Sequence, residues 1–167
     1  MADGASYSLS EALSGIQAWR DAGHHVVFTN GVFDVLHVGH VTMLEEASAR
    51  GDRLIVGVNS DESVRRLGKG PDRPVNGERN RARLLSALRC VDMVVIFGQD
   101  TPLELIEMIR PDVLVKGGDY DPTCTDAHDP TYMVGSAEVK KWGGTAVAIP
   151  LVPGESTTAT LQRIRKG

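Results

Sequence analysis

Two histidines three residues apart, His37 and His40, stand on either side of Gly39, behind the strand-like run Val26, Val27, Phe28, Thr29. A strand leading directly into a helix would put both imidazoles on one face of the helix's first turn. Free N–H groups and the positive end of the helix dipole gather there, and Gly39 has no side chain to hold a phosphate away from the backbone. The chemistry this favours is the binding of nucleotide phosphates. Taken alone, such a pair is more often a surface decoration or a satisfied polar contact, so the remaining residues have to decide.

Three further groups bear on the same chemistry. Lys69 sits between Gly68 and Gly70, ahead of Pro71, Asp72, Arg73 and Pro74. A lysine amid glycines can fold over a triphosphate and follow the charge as pyrophosphate departs. The run Val113, Leu114, Val115, Lys116 reads as a strand passing into Gly117, Gly118 and Asp119. Glycines there let a nucleoside approach the main chain, and the Asp119 carboxylate could accept hydrogen bonds from ribose hydroxyls or base amines. Finally, Ser156, Thr157 and Thr158 open the last helical pattern, where hydroxyls serve as helix caps or as ligands to phosphate.

The elements that must position these residues alternate along the chain. Strand candidates are Val26 to Thr29, Leu54 to Asn59, Met93 to Phe97, Val113 to Val115 and Ala146 to Ile149. Helical patterns cover 9–22, 40–50, 61–67, 78–89, 103–110 and 133–142, with a last one near 157–165. This predicts an α/β fold with a Rossmann-like, doubly wound parallel sheet, whose ligands gather beyond the carboxyl ends of the strands. The whole of 1–167 reads as one domain, with 1–24 as an N-terminal helical extension packed on it. Neither GxGxxG nor the P-loop pattern occurs, so phosphates must be held by other means.

Composition narrows the partners. A net charge of −4, with 41% hydrophobic and 24% charged residues, argues against the broad basic face that duplex nucleic acid requires. No apolar run reaches membrane length and no signal-like start is present, which predicts a cytoplasmic protein. Cys90 and Cys124 form neither CxxC nor a zinc spacing and read as two reduced thiols. The acidic stretch Asp119, Asp121, Asp126, Asp129, with Cys124 and His128 inside it, fits neither an EF-hand nor a zinc site, so no metal site is expected. It reads as a solvated or substrate-covering loop.

The run Gly31, Phe33, Asp34, His37, Gly39, His40 resembles the signature of the cytidylyltransferase-like nucleotidyltransferase superfamily, with its His-x-Gly-His element. That resemblance implies the HxGH nucleotidyltransferase fold, with His37, His40 and Lys69 as catalytic residues. It implies nucleotide contacts from Asn30, Gly31, Val32, Phe33, His37, Gly39, His40, Lys69, Gly118, Asp119, Ser156, Thr157 and Thr158, and a substrate-phosphate contact from Arg81. A closer resemblance runs through Gly51 to Val56, Arg73 to Asn76, Asp100 to Pro102, Val115 to Tyr120 and Ser156 to Thr158. Those elements are similar to the adenylyltransferases that act on D-glycero-β-D-manno-heptose 1-phosphate in lipopolysaccharide synthesis, here in a form without the fused sugar kinase.

This closer resemblance implies AMP transfer from ATP to the sugar 1-phosphate, giving ADP-heptose and pyrophosphate, with Mg²⁺ bridging phosphate oxygens and a homodimer as the assembly. Two departures stand out: Val32, where relatives usually have cysteine, and a longer stretch from Thr123 to Tyr132. The histidine motif does not choose the base, so a cytidylyltransferase acting on glycerol 3-phosphate or a related alcohol phosphate is the nearest rival. A nucleotide-sensing module is the non-enzyme rival, against which the intact histidines, Lys69 and the Ser-Thr-Thr element stand.

Overall fold

The computed structural model describes residues 6–68, 70–150, 152–154, 157, 160 and 161. Within them lies a parallel sheet of β1 (Val26–Gly31), β2 (Arg53–Asn59), β3 (Met93–Phe97), β4 (Val113–Gly117) and β5 (Thr145–Ile149), in the order β3-β2-β1-β4-β5. The helices are α1 (Leu9–Asp21), α2 (Val38–Ser48), α3 (Asp61–Arg66), α4 (Glu78–Ser86), α5 (Leu103–Ile109) and α6 (Ser136–Lys141). The chain builds outward from β1 through β2 to β3, then crosses back over to β4 and β5. Strand order therefore reverses between β1 and β4, and the crevice beyond their carboxyl ends is where such a sheet binds ligands.

The central strands are apolar runs because both faces are covered. Val26, Phe28, Ile55 and Leu114 pack with Ala12 and Ile16 of α1 and with Leu105, Ile106 and Ile109 of α5. On the other face, Val27, Leu54, Val56 and Val58 meet Met43, Leu44 and Ala47 of α2 and Ala82 and Leu85 of α4. Helix α1 starts at a capping box, in which Ser8 accepts from the Glu11 N–H and Glu11 reaches back to the Ser8 N–H. Its far end is tied down by Arg20, which donates to the backbone carbonyls of Ile109 and Arg110.

Met93 to Phe97 is a strand over the predicted residues, and the other four strands run one or two residues beyond theirs. Helix α2 lies two residues earlier than the 40–50 pattern, since His37 is extended (φ −141°, ψ 169°) and serves as its N-cap. Helix α6 begins at Ser136 rather than at 133 because Gly135 adopts φ +88°, a left-handed turn that no helix tolerates inside it. Of the last predicted helix, Thr157, Thr160 and Leu161 fall among the described residues and are helical. No described helix is long and apolar enough to cross a membrane.

Candidate functional site

The site begins where β1 runs out. Gly31 ends the strand, and a side chain there would press on the ring of Phe33, 3.1 Å from the position of an added Cβ. Phe33 itself takes φ +49°, turning the chain sharply before α2. Its ring meets His40 edge-on at 5.2 Å between centroids. His37 caps α2 with its backbone only, the His40 N–H bonding to the His37 carbonyl at 3.0 Å and no side chain closing the helix start. The two imidazoles stack at 3.8 Å, 27° from parallel. So the pair straddles the helix start, with His37 just outside the first turn and His40 within it.

Burial, and secondarily the charge His37 would carry, push the His40 pKa down to about 4. His40 is thus a neutral imidazole near pH 7. Its Nδ1 is buried and has no hydrogen-bond partner among the described residues, and the residue lines a cavity.

That cavity encloses about 540 Å³, within the usual range for a small-molecule site. Asn30, Gly31, Val32, Phe33, His37, Gly39 and His40 all line it, as does Thr157. The β4 end contributes Lys116, Gly117 and Tyr120, with Tyr132 and Val134 from the loop that follows. The opposite wall holds Asn59 of β2, Leu67, and Asp100, Thr101 and Pro102 before α5. A larger, more open hollow of about 680 Å³ lies between α3 and α4, lined by Ser60, Asp61, Glu62, Arg65 and Glu78 among others. It holds none of the sequence-derived site residues.

Three expected residues are placed elsewhere. Arg81 is fully buried, and its guanidinium donates to the Asn76 and Val32 carbonyls and to Asp61 Oδ1 at 2.7–2.8 Å. The guanidinium is thus engaged by three internal acceptors, and Arg81 does not line the cavity. Gly118 takes φ +130° and donates its N–H to the Ile149 carbonyl, and Asp119 is exposed. Neither lines the cavity, whose β4 wall is formed by Gly117 and Tyr120. Lys69, Ser156 and Thr158 lie outside the described residues.

Sequence reasoning assigned no role to Asp34, the residue that fixes the turn between β1 and α2. It is 1% exposed and accepts from the N–H of Val75, the N–H of Asn76 and the Nε of Arg73. Burial alone would raise its pKa, but the Asn76 and Val75 amides and then Arg73 outweigh it, and the net shift is downward. Lys116 and Asn59 also went unassigned, although each is a polar residue at the carboxyl end of an apolar strand, the place where α/β ligands bind.

Comparison with known proteins agrees with this fold. The cytidylyltransferase-like family model matches residues 28–153, which contain the histidine turn and all five strands except the first two residues of β1. The chain belongs to the cytidylyltransferase-like family. Within it, the D-beta-D-heptose 1-phosphate adenylyltransferase of Bordetella bronchiseptica is 57% identical over 142 residues, covering 85% of this chain and 83% of that protein. The bifunctional protein HldE of Methylobacillus flagellatus is 50% identical over 94% of this chain, and that of Acidiphilium cryptum 53% over 92%. The chain spans about 30% of the length of these HldE relatives. Among solved structures, the lipopolysaccharide core biosynthesis protein of Thermoplasma volcanium matches with a TM-score of 0.60 and 29% identity, over 78% of this chain and 98% of that one.

Proposed function

We propose that this chain transfers AMP from ATP to D-glycero-β-D-manno-heptose 1-phosphate, releasing pyrophosphate and ADP-heptose. The observation that carries the reading is the stacked His37–His40 pair at the start of α2, where no side chain caps the helix, on the wall of a cavity of about 540 Å³. The choice of adenine and heptose comes from the likeness to the Bordetella adenylyltransferase.

The chemistry asks little covalent help. A phosphate oxygen of the sugar 1-phosphate is already anionic at neutral pH, so it attacks the α-phosphorus in line without a general base, and pyrophosphate carries away the bonding electrons. The protein's part is to position the reactants and to stabilise charge on the phosphate oxygens. A neutral His40 serves as a donor when its proton sits on Nε2, and the free amides of α2 with the helix dipole add to it. Lys69 and the hydroxyls of Ser156, Thr157 and Thr158 take the leaving pyrophosphate in this reading. Lys116 supplies a cationic side chain on the cavity wall, in place of the buried Arg81.

Magnesium enters with the nucleotide. Asp100 is the one carboxylate lining the cavity among the described residues, it is bonded to Arg66, and no cluster of three metal-ligating side chains occurs among those residues. Such a wall does not fit a protein-built Mg²⁺ cage. It fits a substrate MgATP whose ion is held by phosphate oxygens and water.

The test is pyrophosphate release with ATP, CTP, GTP and UTP crossed against heptose 1-phosphate and glycerol 3-phosphate. ATP with heptose 1-phosphate is the expected productive pair. A preference for CTP with glycerol 3-phosphate would move the chain to the cytidylyltransferases.

A further inference from the structure

We infer that Asn59 reads a hydroxyl of the acceptor sugar, through an amide oxygen held in one orientation by Ser63. The inference rests on the proposed adenylyl transfer for the identity of the acceptor, and on the following geometry for the residue.

Strand alternation puts Phe28 and Asn30 of β1, Gly57 and Asn59 of β2, and Leu114 and Lys116 of β4 on the sheet face that carries α5. Gly57 confirms the shared face, since a Cβ there would lie 2.9 Å from the Phe28 ring and 3.2 Å from the Asn30 Cβ. A row of polar side chains, Asn59, Asn30 and Lys116, therefore floors the cavity on one side of the sheet, while the histidines of α2 come from the other. The missing side chain at Gly57 keeps the space between Asn30 and Asn59 open.

The polarity of Asn59 follows from proton counting. The Ser63 hydroxyl has one proton and donates it to the Gln99 carbonyl at 2.9 Å. Its 3.0 Å contact with Asn59 must then be an acceptor contact, so the Asn59 Nδ2 faces Ser63 and Oδ1 occupies the other edge of the amide. Asn59 is 95% buried, its exposed fraction being 5%, and it lines the cavity, where Oδ1 accepts from no donor among the described residues. An amide oxygen of a buried side chain held this way on the cavity wall selects a hydroxyl donor and disfavours a second acceptor.

Position within the cavity chooses which substrate supplies the hydroxyl. Gly117 and Tyr120 stand at the β4 side, where a bare backbone and an aromatic ring suit a nucleoside. Asn59 stands at the opposite end with Asp100 and Thr101, three groups that match the hydroxyls of a polyol. Arg66 donates to Asp100 and to the Gly98 carbonyl at this end.

The test measures the KM for heptose 1-phosphate at saturating ATP, and ATP binding by calorimetry without acceptor, in the unaltered chain, Asn59→Ala, Ser63→Ala and the double variant. Losing one hydroxyl contact should raise the acceptor KM about five- to tenfold in Asn59→Ala and about threefold in Ser63→Ala, with ATP affinity unchanged. The double variant should be no worse than Asn59→Ala, because Ser63 acts through Asn59. Monodeoxy heptose phosphates give a readout on the unaltered chain, which needs no folded variant: one of them should lose the same factor, and Asn59→Ala should be blind to that change. An ATP affinity that falls with an unmoved acceptor KM overturns the inference, as do additive effects of the two substitutions or equal use of every deoxy sugar. No turnover of ATP with heptose 1-phosphate by the unaltered chain overturns the functional reading and this assignment together, whereas good turnover with an unmoved KM overturns this assignment alone.

Discussion

Asp34 and Arg81 grip Asn76 from opposite sides. Asp34 takes the Asn76 backbone N–H on its carboxylate and the Asn76 side-chain amide on its own carbonyl, while Arg81 donates to the Asn76 carbonyl. Arg81 also holds the Val32 carbonyl, two residues before Asp34, so the turn that carries the histidine motif and the segment Arg73 to Asn76 are fastened into one unit. A loop that must present two imidazoles to phosphate gains its rigidity from this clasp, since little else in the turn is regular structure.

Arg81→Lys tests whether the arginine is a clasp or a phosphate ligand. The three acceptors are met by three different guanidinium nitrogens, and the single nitrogen of a lysine cannot stand at all three places, so buried groups lose their donor. Urea unfolding should show a loss of about 3 kcal/mol, the scale of breaking a buried charge pair. A phosphate ligand would instead leave stability alone and raise the acceptor KM, and that outcome would restore the expectation drawn from the resemblance.

Asp34→Asn keeps the shape and removes the charge. Its new amide group must turn an NH₂ toward at least one of the donors now bonded to the carboxylate, which should cost about 2 kcal/mol in urea unfolding. The pH dependence has a definite sign. The folded carboxyl has a lowered pKa, so its contribution is complete above the unfolded value of about 3.9 and is lost as pH falls below it. The difference in stability between the two proteins should therefore shrink on acidification below pH ~4, and a constant difference would mean that the charge is not what holds the turn.

The fold was legible because the strands are short, mostly apolar runs with turn residues at their ends, the pattern of a parallel sheet covered on both faces. The histidine turn was legible because its residues are contiguous. The clasp was not, since Asp34 meets Asn76 and Arg81 meets Val32 across 42 and 49 residues, and nothing local records such pairings. The internal partners of Arg81 were hidden for the same reason: its residue type fits a phosphate, and only the folded chain reveals the two carbonyls and the Asp61 carboxylate that it meets. Asn59 and Lys116 carried a usable signal, a polar residue closing an apolar strand, that the local motifs overshadowed.

His40 should leave its own mark on acid stability. Its folded pKa of about 4 lies below the unfolded value of about 6.5, so between those values the unfolded chain binds more protons and stability falls as pH drops. The contribution is on the order of 3 kcal/mol across that window and levels off below it. Comparing urea unfolding of the unaltered chain and His40→Asn at pH 7, 5.5 and 4.5 isolates it from the other histidines. Parallel losses in both proteins would show that the imidazole is not kept neutral by its surroundings.

Nucleotide binding should reverse part of that shift, and His40→Ala should reveal what the residue does for turnover. Phosphate charge beside the imidazole favours its protonated form, so the His40 pKa followed by NMR should rise when MgATP is added. Removing the side chain deletes one preorganised donor to the developing charge, and turnover should fall by about two to three powers of ten. The fold should persist, because His40 lies at a helix start and contributes an edge contact to Phe33 rather than filling either apolar layer. Circular dichroism and thermal unfolding check that point while pyrophosphate release reports the chemistry. If the variant is well folded and loses less than about threefold, no transition-state contact was removed, and the stacked pair at α2 serves only to shape the turn.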